Sequence, residues 1–172
     1  MLISILAKIN KTLNQIAEKL LIIFLLANVT FVFMEVIFRY VFNSPLGWTY
    51  EVTVYLMVWS AFLGSSIVSR KREHISVDSL VNKLPFKYRK IVNVISNLLV
   101  LYFLYFIITS GLDMIEMTSG ARSPSLRIPM IWVYSSIPIG FGLIVLQTLE
   151  IIFKDLFEIY KVFTNDKLGE AN

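Results

Sequence analysis

Four apolar runs divide the chain, approximately Leu20–Val41, Val52–Ser69, Ile91–Leu112 and Ile128–Phe153. A helix needs about 20 residues, at about 1.5 Å each, to cross a hydrocarbon core about 30 Å thick. The second run is the shortest and gains a turn from Thr49–Glu51, which sets the predicted spans at 20–41, 49–69, 91–112 and 128–153. Polar residues do not alternate with apolar ones at a period of two, as transmembrane strands require. The pattern therefore predicts an all-α integral membrane protein with four transmembrane helices, in one domain over residues 1–172.

Two further segments carry a helical stripe. Leu2, Leu6, Ile9, Leu13 and Ile16 share a face, with Lys8, Asn10, Lys11 and Asn14 elsewhere. Residues 2–17 thus read either as an amphipathic helix lying on the membrane or as an extension of the first span beyond it. A second amphipathic helix is predicted over 76–84, capped by Ser76 and stopped by Pro85. The first apolar run is too long for a secretory leader, and no small-residue cleavage site follows it.

Composition agrees with the pattern. Of 172 residues, 56% are hydrophobic, against about 45–50% in soluble domains. The net charge is +4, and its placement is the informative part. Lys8, Lys11 and Lys19 precede the first span. Arg70, Lys71, Arg72, Lys83, Lys87, Arg89 and Lys90 separate the second and third. Lys154, Lys161 and Lys167 follow the fourth. Only Arg39, Arg122 and Arg127 lie on the other side. The positive-inside rule places both termini and the central loop in the cytoplasm. Arg70, Lys71 and Arg72 become candidate anchors to anionic inner-leaflet lipids. No basic stripe with readout residues suggests nucleic acid.

The chemistry of catalysis is missing from the sequence. There is no cysteine and one histidine, His74, so thiolate sites and a bis-histidine haem are excluded. No metalloprotease, phosphate-loop, nucleophile-elbow or dinucleotide motif occurs. No enzyme activity, cofactor or metal is expected.

Charges inside the spans need a reason, since each costs about 2.5–3.5 kcal/mol near the bilayer centre. Asn28, Glu35 and Arg39 fall along one line of the first helix, and Glu51 opens the second after a turn containing Pro45 and Gly47. Arg39 has donors enough to bridge both carboxylates, which predicts a Glu35–Arg39–Glu51 cluster between helix ends. The plainer reading is a snorkelling Arg39 and a hydrated Glu51. A third is a proton-coupled multidrug exporter acting as a homodimer through Glu35, although an ion pair with Arg39 does not suit a carboxylate that must exchange protons.

Other positions point to packing. Ala61, Ser65 and Ser69 repeat at four-residue spacing, as do Ser60 and Gly64, and small residues let membrane helices approach closely. Trp48, Trp59, Ala61, Gly64 and Ser65 are the candidate subunit interface, with packing inside the same chain as the alternative. Trp48 and Trp132 fit interfacial belts. Asn93 and Asn97 share a face suited to joining helices. Pro138 is placed to kink the last span, with Ser135 or Ser136 answering the freed carbonyls. Gln147 and Glu150 read as solvated at the inner end. Asp113 and Glu116 are placed to pair with Arg122 or Arg127.

Residues 39–85, "RYVFNSPLGWTYEVTVYLMVWSAFLGSSIVSRKREHISVDSLVNKLP", resemble the DctQ-type small membrane subunit of TRAP (tripartite ATP-independent periplasmic) transporters. Arg39, Tyr40, Trp48, Glu51, Val58, Trp59, Phe62, Leu63, Gly64, His74, Ile75, Val77 and Asp78 match in order. Ser125, Leu126, Ile128 and Pro129 are similar to the opening of that family's last span. The resemblance implies a non-catalytic subunit of a bacterial inner-membrane, sodium-coupled transporter for organic acids such as sialic acid or C4-dicarboxylates. Its implied partners are a large membrane subunit, which carries the solute and sodium sites and moves like an elevator, and a periplasmic substrate-binding protein. Arg122 and Arg127 are then candidate contacts with the binding protein.

Overall fold

The structure, a computed structural model, describes residues 2–71 and 86–169, with side chains for 4–70 and 89–159. The surface helix expected over 76–84, together with His74, Arg72 and the Lys71 side chain, lies outside the described residues. The elements are α1 (Leu2–Tyr40), α2 (Thr49–Lys71), α3 (Phe86–Met117), the single turn α4 (Ile131–Tyr134) and α5 (Ser136–Gly169). Among the described residues there are four segments long and apolar enough to cross a membrane: Ser4–Tyr40, Thr49–Arg70, Arg89–Met117 and Ile131–Ile159.

The helices overrun the apolar stretches. α1 is continuous over 39 residues, about 58 Å at 1.5 Å per residue. Residues 2–17 therefore continue the axis of the first span. Their packed face mixes polar and apolar groups: Asn10, Asn14 and Ala17 are buried and Leu6 and Leu13 partly so, while Ile5, Ile9 and Ile16 are about half exposed.

α1 ends where Asn43 takes a positive φ of 49°, a conformation asparagine tolerates better than most residues. The chain reverses through Pro45 and re-enters at Thr49, so α1 and α2 pack side by side along their length. α5 lies against both, and α3 packs along α5 rather than along the first two helices. Ala17, Leu63 and Ile67 form the buried centre, with Leu21, Phe24, Trp59 and Leu143 around it.

Two glycines let α5 fit between its neighbours. A Cβ on Gly140 would stand 2.6 Å from the Phe62 Cβ and 3.3 Å from the Phe62 backbone on α2. A Cβ on Gly111 of α3 would stand 2.9 Å from Ile137 Cγ2. The α4–α5 break at Ser135 lies just before both contacts. Pro138 has no N–H to offer the turn before it. The Ser135 hydroxyl donates to the Trp132 carbonyl at 3.0 Å, and Ser136 donates to the Val133 carbonyl at 2.6 Å. Both serines thus answer backbone acceptors at the break.

The end carrying the termini is tied by ions. Asn10 Nδ2 donates to Glu150 Oε2 at 2.6 Å and to the Leu146 carbonyl at 3.0 Å. Lys154 Nζ pairs with the other Glu150 oxygen at 2.7 Å. Lys90 joins α3 to α5 through Asp155 at 2.6 Å and Glu158 at 2.9 Å. Glu150 is 3% exposed and Gln147 4%, which corrects the expectation of solvated side chains: the α1 extension covers them. Asn97 donates to the Asn93 carbonyl of its own helix at 2.9 Å, so in this structure the α3 asparagine pair bonds along the helix.

Candidate functional site

The polar groups at the turn end form two separate joints. Glu35 sits near the end of α1 facing the turn. Its Oε1 accepts from Arg39 Nη2 at 2.7 Å, and its Oε2 from the Leu46 N–H at 3.1 Å and the Thr49 hydroxyl at 2.6 Å. Thr49 is fully buried, and its hydroxyl also lies 2.5 Å from the Leu46 carbonyl. With one proton to give, it serves one acceptor at a time. Two turns lower, Asn28 Nδ2 donates to the Thr53 carbonyl at 3.0 Å. The Asn28–Glu35 line thus stitches α1 to α2.

Glu51 faces the other way. Its Oε1 accepts the Ser125 N–H at 2.7 Å and its Oε2 the Leu126 N–H at 3.0 Å. The Ser123 hydroxyl bonds to it as well. The expected three-residue cluster is therefore divided. Glu35 and Arg39 pair, whereas Glu51 holds the α3–α4 connection, and Arg39 remains 57% exposed. The reason is competition: two convergent backbone N–H groups form a better cradle for a carboxylate than a mobile guanidinium does.

That connection is built around the cradle. Ser123 N donates to the Ile128 carbonyl at 2.9 Å, and Ile128 N to Ser123 Oγ at 3.1 Å. Met130 N reaches the Ala121 carbonyl at 3.0 Å. Arg127 takes a φ of 53°, sparsely populated for a residue with a Cβ. Arg122 and Arg127 are both exposed, and Arg122 Nη1 reaches back to the Arg127 carbonyl at 3.5 Å. Among the described residues, no ion pair links either of them to Asp113 or Glu116.

The expected interface residues separate by face. Trp48 packs edge-on to Phe31 with ring centres 5.9 Å apart, and Trp59 packs on Phe24 at 6.4 Å. Trp59 Nε1 also donates to the Trp132 carbonyl at 3.0 Å. Gly64 faces Leu21. These three serve packing within the chain. Ala61 and Ser65 are exposed, in one row with Tyr50, Val54, Met57 and Val68. A cleft of about 270 Å³ runs beside the row at the turn end, lined by Val32, Glu35, Val36 and Arg39 of α1 and by Thr49, Tyr50 and Thr53 of α2. The two helices thus share one open face.

Thr49 and Ser123 escaped the sequence reading. Both are short hydroxyl residues beside Pro or Gly turns, and their partners lie 14 and 72 residues away in the chain. Neither spacing is visible in a helical pattern. Among the described residues no group of acidic or histidine side chains is placed to hold a metal.

Comparison with known proteins adds a family. Residues 28–158 match the family described as "Tripartite ATP-independent periplasmic transporters, DctQ component". A chain of Haemophilus influenzae named for a TRAP transporter small permease protein is 30% identical over 127 residues, covering 74% of this chain and 77% of that one. The C4-dicarboxylate TRAP transporter small permease protein DctQ of Vibrio cholerae is 33% identical over 85 residues, 49% of this chain and 37% of its own. The sialic acid TRAP transporter permease protein SiaT of Haemophilus influenzae is 32% identical over 105 residues, 61% of this chain but 17% of its own.

Proposed function

The chain belongs to the DctQ components of the tripartite ATP-independent periplasmic transporters, a multi-pass protein of the bacterial inner membrane, and from that premise we propose that it is fixed architecture for a larger permease subunit. On this reading it serves a sodium-coupled, binding-protein-dependent transporter of organic acids and touches no solute itself. The observation that carries the proposal is the state of its two carboxylates near the turn end. Glu35 accepts from Arg39, Leu46 and Thr49, and Glu51 from Ser123, Ser125 and Leu126. Each is engaged in holding helix ends, which argues against either serving a cargo ion or a cycling proton. The exporter reading through Glu35 loses support for the same reason.

The open α1–α2 face is the proposed contact with the large subunit. α3 exposes bulky Leu99, Phe103 and Phe106, a surface suited to lipid. The α2 row instead carries small Ala61 and Ser65 at its centre, where another helix can come close. The SiaT match supports a permanent partner, because there the matching stretch is 17% of one longer permease chain. Positive-inside placement sets the termini in the cytoplasm. Arg122 and Arg127 then face the periplasm, in position for an acidic patch on a binding protein.

The natural absence of cysteine makes the test direct. Met57→Cys and Ser65→Cys are expected to cross-link to one larger membrane protein in native membranes, and Phe103→Cys is not. Gradient-driven uptake by this chain reconstituted alone would overturn the proposal, as would toxin resistance conferred by it alone and lost in Glu35→Gln.

A further inference from the structure

On the side of the termini, each apolar run stops at a basic residue: Lys19 on α1, Arg70 on α2, Lys90 on α3 and Lys154 on α5. In a bundle standing upright in a bilayer these four would share one height, but the contacts set them on a staircase. Ala17, two residues before Lys19, belongs to the buried cluster on which Leu143 of α5 packs. Arg70 lies close enough to Glu150 to act on it electrostatically. Lys90 bonds Asp155 at 2.6 Å and Glu158 at 2.9 Å. Along α5 the boundary therefore descends from near Leu143 through Glu150 and Lys154 to Asp155 and Glu158. From Leu143 to Asp155 is 12 residues, about 18 Å at 1.5 Å each.

The turn end is displaced in the same direction. Glu35, one turn before Arg39, bonds Thr49 at the start of α2. The corresponding end of α3 sits far lower: Gly111 meets Ile137, and Gly140, one turn on, meets Phe62. Phe62 lies 13 residues into α2 from Thr49, again a shift of about 20 Å. At both its edges, the apolar band of α1 thus stands further toward the turn end than that of α3.

A hydrocarbon layer about 30 Å thick laid square to the bundle cannot cover both bands. It bares Val36 and Val41 of α1 or Ile91 and Ile95 of α3, all of them exposed on the protein surface. A slanted layer covers all four. α1 packs on α5 and α5 on α3, so at about 8–10 Å per helix pair the α1 and α3 axes are at most about 20 Å apart. A step of about 20 Å across that width is a slope of about 45°. We propose that the bundle crosses the membrane inclined by about 45° to the bilayer normal, with one layer of lipid headgroups meeting it along Lys19, Arg70, Lys154 and Lys90. At that inclination α1 spans about 41 Å, which fits a bilayer of about 40–45 Å including headgroups. Lys8 and Lys11, both exposed, then stand at the headgroup surface instead of beyond it. None of this requires the partner assigned above.

Val29 of α1 and Phe103 of α3 are exposed and lie near the middles of their apolar runs. They stand about 20 Å apart along the bundle. The chain has no cysteine, so Val29→Cys and Phe103→Cys can each carry one spin label in the full chain, reconstituted in phosphatidylethanolamine and phosphatidylglycerol bilayers. Collision with oxygen, compared with a water-soluble nickel chelate, reads the depth of each label. Both are expected within about 5 Å of the midplane of the roughly 30 Å core. An upright bundle must hold at least one of them about 10 Å or more from the midplane, and that result overturns the proposal. Polarised infrared dichroism of the unaltered chain in oriented bilayers is the second measurement. A mean helix inclination of about 45° is expected, and one near the usual value of about 20° overturns the proposal. Neither sample contains a permease, so failure here leaves the α1–α2 contact standing.

Discussion

Glu51 reaches 74 residues along the chain to accept the Ser125 N–H at 2.7 Å. A carboxylate at the start of one transmembrane helix thereby fixes the loop that leads into another. The fold places these elements side by side, and the carboxylate supplies the only acceptor group that the Ser125 and Leu126 N–H groups are shown to share.

Removing it should loosen that loop. Glu51→Ala is expected to raise tryptic cleavage after Arg122 and Arg127 several-fold in outward-facing vesicles, with Glu51→Gln between the two because its amide keeps one oxygen acceptor. Equal cleavage in all three proteins would show that the loop holds its shape unaided.

The Glu35 joint makes a contrasting prediction. Arg39 is largely exposed and makes one bond to Glu35, whereas Thr49 is buried and bonds within the turn. Exposed ion pairs contribute little. Arg39→Gln should leave the thermal midpoint and expression nearly unchanged, and Thr49→Val should lower both. The reverse order would return Arg39 to the centre of the site.

The two glycine contacts differ in what blocks a Cβ. At Gly140 the obstacle is the Phe62 backbone and Cβ, which cannot move without α2. Gly140→Ala should cost about 1–3 kcal/mol, and Phe62→Ala should not rescue it. At Gly111 the nearest atom is the Ile137 side-chain methyl. There Ile137→Ala should restore much of the stability lost in Gly111→Ala. Denaturation of the double variants checks both.

Asn10 is 2% exposed and spans α1 and α5. Asn10→Leu removes the donor facing Glu150 and should cost about 1–3 kcal/mol. The loss should be smaller in a Glu150→Gln background, because the remaining group is then uncharged. A double-mutant cycle measures that coupling.

Much of the site was legible for local reasons. Glu35 and Arg39 are one helical turn apart, so their pairing needs only α1 to form. The Glu51 assignment failed because its partners are backbone groups of a loop with no sequence mark of their own. The same limit hid Thr49 and Ser123. Asn10 and Asn14 were visible as polar residues on a helix, but their side of the helix meant one thing on a membrane surface and the opposite against α5.

By itself, the sequence determined the number of spans and their helical form, because bilayer thickness and backbone hydrogen bonding act on each segment separately. Only the tertiary structure decided which face of each helix is packed. In apolar surroundings hydrophobicity no longer distinguishes inside from outside. That choice passes to small residues such as Gly140, which admit a neighbour, and to polar residues such as Asn10 and Glu51, which require one.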